Sequence, residues 1–405
     1  MNRIYKLFIM SVFLMCAFGC KKNSGANMKK IVLDSERNST SKEIEVAKKD
    51  VKDVKKNEVS KKNIDEKLEK YIKTVDKKAK VEELICSGIY GTKYDKKMED
   101  FLKAKKPGSI ILFKRNISSD KQLKALVLDI RALYRNMNVH EPFIFVDQEG
   151  GRVDRLKSVF GKTNSPSWYF KNKPATEYGK RITNALNHFN LNGGFSPVLD
   201  AQKPGNGIIG DRAFSDDYEA VAKYARDVIK YMNENDIVSV GKHFPGHGAT
   251  HVDSHEALPV INKSNDEMKK SDLIPFVKNF DILRGVMVAH ILVPKVDDMP
   301  SSLSKVWMDK IRNEFHFDGL IFSDDLTMGA LDSYGDLNTR ARKFVEAGGD
   351  IPLVCHKNEE MEGVISELLK VDDKRIDEAY KRILKAKLEI GLISEIKEFY
   401  MTSFR

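Results

Sequence analysis

From about residue 80 the chain alternates short apolar runs with amphipathic stretches of helical period. The runs are "ELICSGI" (83–89), "SIILF" (109–113), "PFIFVD" (142–147), "GFSPVLD" (194–200), "VSVGKH" (238–243), "GVMVAH" (285–290), "GLIFSD" (319–324) and "DIPLVC" (350–355). Such an alternation is the signature of strand–helix units in a parallel sheet. Two of the intervening stretches predict long helices, "SDKQLKALVLDIRALYRN" (119–136) and "SDDYEAVAKYARDVIKYMNEND" (215–236). The second opens on Ser and Asp, residues suited to capping. Eight such units in about 320 residues predict an α/β fold, a (β/α)8 barrel of the TIM type.

A second regularity lies at the ends of the runs. The third to the seventh finish on an ionisable residue: Asp147, Asp200, His243, His290 and Asp324. Barrel enzymes assemble their sites from several strands at the C-terminal ends. Five charged ends in succession therefore predict a binding or catalytic ring at the barrel mouth.

The stretch "KHFPGHGATHVDSH" (242–255) places His243, His247, His251 and His255 four residues apart. On a helix they would stack on one face as metal ligands could. Pro245, Gly246 and Gly248 make that helix improbable, because proline lacks an N–H and glycine favours turns. The stretch is expected to be a loop, with no metal site.

Charge changes the picture less than its total suggests. The net +10 comes from residues 1–80, and residues 81–405 hold 48 basic and 48 acidic side chains. A formally neutral body argues against nucleic acid as a partner. Residues 1–20 join Arg3 and Lys6 to the apolar run "LFIMSVFLMCAFG" and Cys20, which resembles a bacterial lipoprotein signal with lipidation at Cys20. Residues 21–62, rich in Lys, Asn and Ser, are expected to be a disordered tether. The expected protein is thus exported and held to the cell-envelope membrane by lipid, with a catalytic domain over 63–395 and a short tail over 396–405. Cys86 and Cys355 sit in apolar runs and are expected to be buried free thiols.

Six ordered blocks, "VDQEGGRVDRL" (146–156), "FSPVLD" (195–200), "IGDRAFSDD" (209–217), "KHFPGHGATHVDSH" (242–255), "VMVAHI" (286–291) and "FDGLIFSDDLTMGAL" (317–331), resemble glycoside hydrolase family 3. They are most similar to its single-domain bacterial β-N-acetylglucosaminidases, over about residues 70–390. The resemblance implies a retaining exo-glycosidase acting on terminal β-linked N-acetylglucosamine, in peptidoglycan fragments or other amino-sugar glycans. Asp324 would be the nucleophile, with His255 as acid/base and Asp253 orienting it. Imidazole suits that task because its ordinary pKa lies near working pH. Asp147, Arg155, Arg212, Lys242 and His243 match the positions that hold the sugar, and charge-assisted hydrogen bonds to hydroxyls suit them. Glu149 is read as shaping its loop, not as the proton donor, and His247 and His290 as supports of the pocket. No metal or organic cofactor is implied, and a monomer is expected. A β-glucosidase or phosphorylase on the same fold, and a glycan-binding lipoprotein without catalysis, remain alternatives.

Overall fold

The computed structural model describes residues 64–393 except 204, 251–253 and 255. The signal, Cys20, the tether and the tail lie outside the described residues, as do His251, Asp253 and His255. The chain divides into residues 1–66 and 67–405, and the strands of the described residues lie in the second unit.

Eight parallel strands close into a barrel: β1 (Cys86–Gly88), β2 (Ser109–Leu112), β3 (Phe143–Val146), β4 (Gly193–Gly194), β5 (Val238–Phe244), β6 (Gly285–Val288), β7 (Leu320–Asp325) and β8 (Ile351–Val354). Each pairs with its neighbour in sequence, and β1 closes on β8 through Cys86 beside Leu353. The expected barrel is the observed one. Both long helices form, Asp120–Asn136 and Tyr218–Glu234. Ser119 accepts from the Gln122 N–H while the Gln122 side chain reaches back, a capping box. Asp217 caps the other helix through the Ala220 N–H at 2.7 Å.

The fourth strand is shorter than its apolar run suggests, two residues in place of 194–200. Pro197 has no N–H to give the ladder, so only scattered bonds continue, such as Leu199 N–H to Lys242 O at 2.6 Å. Glycine is required here for a different reason. A Cβ on Gly193 would stand 2.1 Å from the Phe145 ring. That ring stacks on Phe195 at 4.6 Å and meets Phe322 edge-on at 5.3 Å, which fills the barrel interior with aromatic surface. The loop after β5 is a loop as expected over its described residues, with Gly246 at φ +127°. Cys86 and Cys355 are buried free thiols.

Candidate active site

A cavity of about 370 Å³ opens at the C-terminal ends of the strands. Asp147, Arg155, Arg212, Lys242, His243 and Asp324 all line it, so six of the eight expected catalytic and sugar-holding residues converge. The other two, Asp253 and His255, are not described, but Ser254 between them lines the same cavity.

Two local irregularities explain how adjacent residues reach one space. Side chains along a strand alternate between faces, so neither the pair Lys242 and His243 nor the pair Asp324 and Asp325 should face the mouth together. Between β5 and β6 the register runs from Gly241 beside Val286 to Phe244 beside Val288, three steps against two. Between β7 and β8 it runs from Phe322 beside Ile351 to Asp325 beside Leu353, again three against two. Each is a bulge, which spoils the alternation and re-aims side chains. At the second bulge the Ser323 hydroxyl accepts from the Leu353 N–H at 2.8 Å, satisfying a donor the ladder has left.

Glu149 organises the positive side of the cavity. It is fully buried; its Oε1 stands 2.6 Å from Lys242 Nζ, and its two oxygens accept from Arg212 at 2.7 and 2.9 Å. Burial would raise its pKa, yet Arg212 and Lys242 outweigh that and hold the carboxyl far below its ordinary range. Lys242 also donates to Asp147 at 2.7 Å. Burial pulls on Lys242 in the neutral direction, and Asp147 and Glu149 reverse it, so the ammonium stays charged.

A second carboxylate, Asp200, aims His243. It is buried and held below its ordinary pKa: burial opposes this, but His243 and His247 prevail. Asp200 Oδ2 accepts from His243 Nδ1 at 2.6 Å, and Oδ1 from the His247 N–H at 2.6 Å. Arg212 Nη2 stands 3.2 Å from His243 Nε2. A guanidinium can only donate, so the ring carries its proton on Nδ1 and presents Nε2 as acceptor. His290 lies behind β7: Nε2 donates to Asp325 O at 2.9 Å and Nδ1 accepts from Ser302 at 2.7 Å. Burial pushes the pKa of both His290 and His247 down.

Among the described residues Asp324 accepts one hydrogen bond, from the Asp325 N–H at 2.9 Å. Burial works against its ionisation, but His290, His243, that N–H and Lys242 keep its pKa below the ordinary value. It is a carboxylate that lines the cavity. Asp325 is a holding residue, binding the Thr327 N–H and hydroxyl at 3.0 and 2.7 Å. Arg155 lines the cavity, and its buried Nε has no partner among the described residues.

Sequence reasoning singles out Glu149 and Asp200 without giving them these tasks, and it misses Ser323, Phe113 and His356, of which the last two line the cavity. Phe113 closes one apolar run and His356 directly follows another, the one signal that could single them out. Among the described residues no three His, Cys, Asp or Glu side chains are grouped to hold a metal.

The family pattern "Glycosyl hydrolase family 3 N terminal domain" matches residues 74–386. The chain is 35% identical over 285 residues to the beta-hexosaminidase of Pseudomonas aeruginosa strain PAO1, covering 69% of this chain and 84% of that protein. It is 39% identical over 264 residues to the beta-hexosaminidase of Neisseria gonorrhoeae strain FA 1090, covering 62% and 72%. Among solved structures, NagZ from Neisseria gonorrhoeae with N-trifluoroacetyl-D-glucosamine superposes with a TM-score of 0.66 at 31% identity, covering 77% of this chain and 98% of that one. A family 3 β-N-acetylglucosaminidase from Paenibacillus sp. gives a TM-score of 0.75 at 29% identity over 78% of this chain; the match spans 63% of that longer protein.

Proposed function

The chain belongs to glycosyl hydrolase family 3, and from that premise we propose that it is a retaining exo-β-N-acetylhexosaminidase, releasing terminal β-linked N-acetylglucosamine from peptidoglycan fragments or other amino-sugar glycans. The observation that carries this reading is Asp324: an ionised carboxylate at a bulged strand end, open to a cavity whose other wall is a set of charged hydrogen-bonding groups. A cavity of about 370 Å³ suits one terminal sugar unit.

In this mechanism Asp147, Lys242, Arg212, Arg155 and His243 hold the sugar hydroxyls. Asp324 attacks the anomeric carbon as the glycosidic C–O bond breaks, and His255, oriented by Asp253, gives its proton to the departing oxygen. Water then attacks the glycosyl ester, losing a proton to the same imidazole, and Asp324 leaves as the carboxylate. Glu149 and Asp200 do no chemistry; they fix the charge and tautomer of the groups that do.

The test is release of p-nitrophenol from β-GlcNAc and β-glucose conjugates by the full chain and by Asp324→Asn. Preference for GlcNAc, with a fall of about 10³-fold or more in the variant, is expected for loss of a covalent nucleophile. Acceleration by phosphate would make the enzyme a phosphorylase, preference for glucose a β-glucosidase. No turnover of either sugar by folded protein would leave a glycan-binding protein. We also propose that the chain is exported and lipidated on Cys20, so that Cys20→Ser abolishes incorporation of labelled fatty acid and frees the protein from membranes.

A further inference from the structure

The charged groups that would hold the terminal sugar come from the segments around β3, β4 and β5, and Asp324 stands on β7. A sugar gripped from that arc with its anomeric carbon toward β7 leaves the arc of β8, β1 and β2 as the open side of the mouth. This side is built differently. Phe113 follows β2 and His356 follows β8; both line the cavity, their ring centres 5.4 Å apart and 35° from parallel. The Arg115 guanidinium lies 4.3 Å from the Phe113 ring centre and 5.0 Å from that of Tyr90, so it bridges the two aromatic faces.

The wall is fixed from behind. Arg115 donates to Ile89 O at 3.1 Å and to Cys355 O at 2.7 Å, which ties the ends of β1 and β8 together. Its Nη1 stands 3.3 Å from His356 Nδ1, making that nitrogen the acceptor and leaving the ring proton on Nε2, 3.9 Å from an oxygen of Asp325. The Tyr90 hydroxyl accepts from the Lys357 N–H at 3.2 Å. Yet the front is bare: Tyr90 is 47% exposed, and so is the His356 side chain. Rings anchored from behind and half exposed, as Tyr90 and His356 are, offer amphipathic surface at little cost in conformational entropy. The proton transfer and sugar-holding steps use none of it.

We propose that Tyr90, Phe113, Arg115 and His356 form the subsite for the leaving group, and that the leaving group it receives is a second sugar ring, seated with its C–H face on these rings. The proposal rests on the glycosidase reading above. It makes the enzyme a cleaver of sugar–sugar linkages in preference to simple alkyl glycosides, with specificity for the acceptor side set by β1, β2 and β8.

The experiment compares kcat/KM of the full chain for the β-1,4-linked N-acetylglucosamine disaccharide and for methyl N-acetyl-β-glucosaminide, whose leaving group carries no ring. Tyr90→Ala, His356→Ala and Tyr90→Phe are measured beside the parent, with thermal midpoints to confirm folding. Either alanine variant is expected to lower the disaccharide value about tenfold while the methyl glycoside stays within about twofold, and Tyr90→Phe, which keeps the ring face, to retain the disaccharide rate. Equal losses on both substrates, or no loss on either, overturn the subsite and leave the glycosidase standing. Failure of the parent to cleave either substrate overturns both readings together.

Discussion

Each end of the barrel buries an ionic network, and the two are finished differently. At the N-terminal end Asp350, just before β8, accepts from Arg375 and Arg382 on Oδ1 at 2.8 and 3.1 Å. Its Oδ2 takes the Ile321 N–H at 2.9 Å and Arg312. Two of the guanidinia also donate to backbone carbonyls, Arg312 to Phe317 and Gly319, Arg375 to Val345 and Gly349. Among the described residues Arg312 Nε is buried without a partner, and burial takes that guanidinium's pKa down to about 10. At the mouth the accounting stays open. Arg155 Nε has no partner, Asp147 makes one ion pair, to Lys242, and Asp324 accepts one backbone N–H, all among the described residues. Both ends leave one guanidinium nitrogen over among the described residues, but at the mouth it belongs to a residue lining a cavity, where spare hydrogen-bonding capacity can meet a ligand. The contrast agrees with the general division of barrels into a structural and a functional face.

Substitutions can break this contrast. Glu149→Gln should have the largest effect, since it strips Lys242 and Arg212 of their shared counter-charge. Removing one partner of a buried pair costs about 3–5 kcal/mol, and kcat/KM on a β-GlcNAc substrate should fall by about 10²-fold or more as both cations move. Denaturant titration and steady-state kinetics check the two halves. Asp350→Asn should cost a similar stability, about 3 kcal/mol, yet leave kcat/KM of the folded fraction unchanged; a specific loss of activity would erase the distinction between the ends. Arg155→Ala should do the reverse. It removes a guanidinium whose Nε has no partner among the described residues, so stability should move by less than about 0.5 kcal/mol, while KM rises about tenfold.

The smallest effect is in pH. Burial lowers the pKa of His247 and His290, so as pH falls below about 6.5 the unfolded chain takes up protons before the folded one does. Stability is therefore complete above that pH and declines below it, by at most about 1.4 kcal/mol per group per pH unit. Glu149, Asp200 and Asp350 have depressed folded values, so their contribution is present above about pH 4.5 and is lost below it. Denaturation midpoints from pH 8 to 4 should show a shallow decline, then a steeper one. In His290→Gln the upper segment should flatten.

Much of this is legible in the residue string. The eight apolar runs, the two capped helices and the loop over the described residues that follow Phe244 come from backbone preferences that act over a few residues: period, capping hydroxyls and carboxylates, and the missing N–H of proline; Lys242–Phe244, expected in that loop, continue β5 instead. Asp147, His243 and Asp324 stand out because they end apolar runs, and the structure brings them into one cavity. What the string could not decide depends on which strand meets which, and in what register. The three-against-two pairings at Gly241–Phe244 and Phe322–Asp325 exist only between neighbouring strands, and they fall where consecutive residues share the mouth. Glu149 looks like a loop residue until folding buries it against Lys242 and Arg212, 93 and 63 positions away. The wall of Tyr90, Phe113, Arg115 and His356 waits for the first strand to close on the last. Local chemistry selects the elements, but burial and convergence are properties of the closed barrel, because only closure sets distances between residues far apart in the chain.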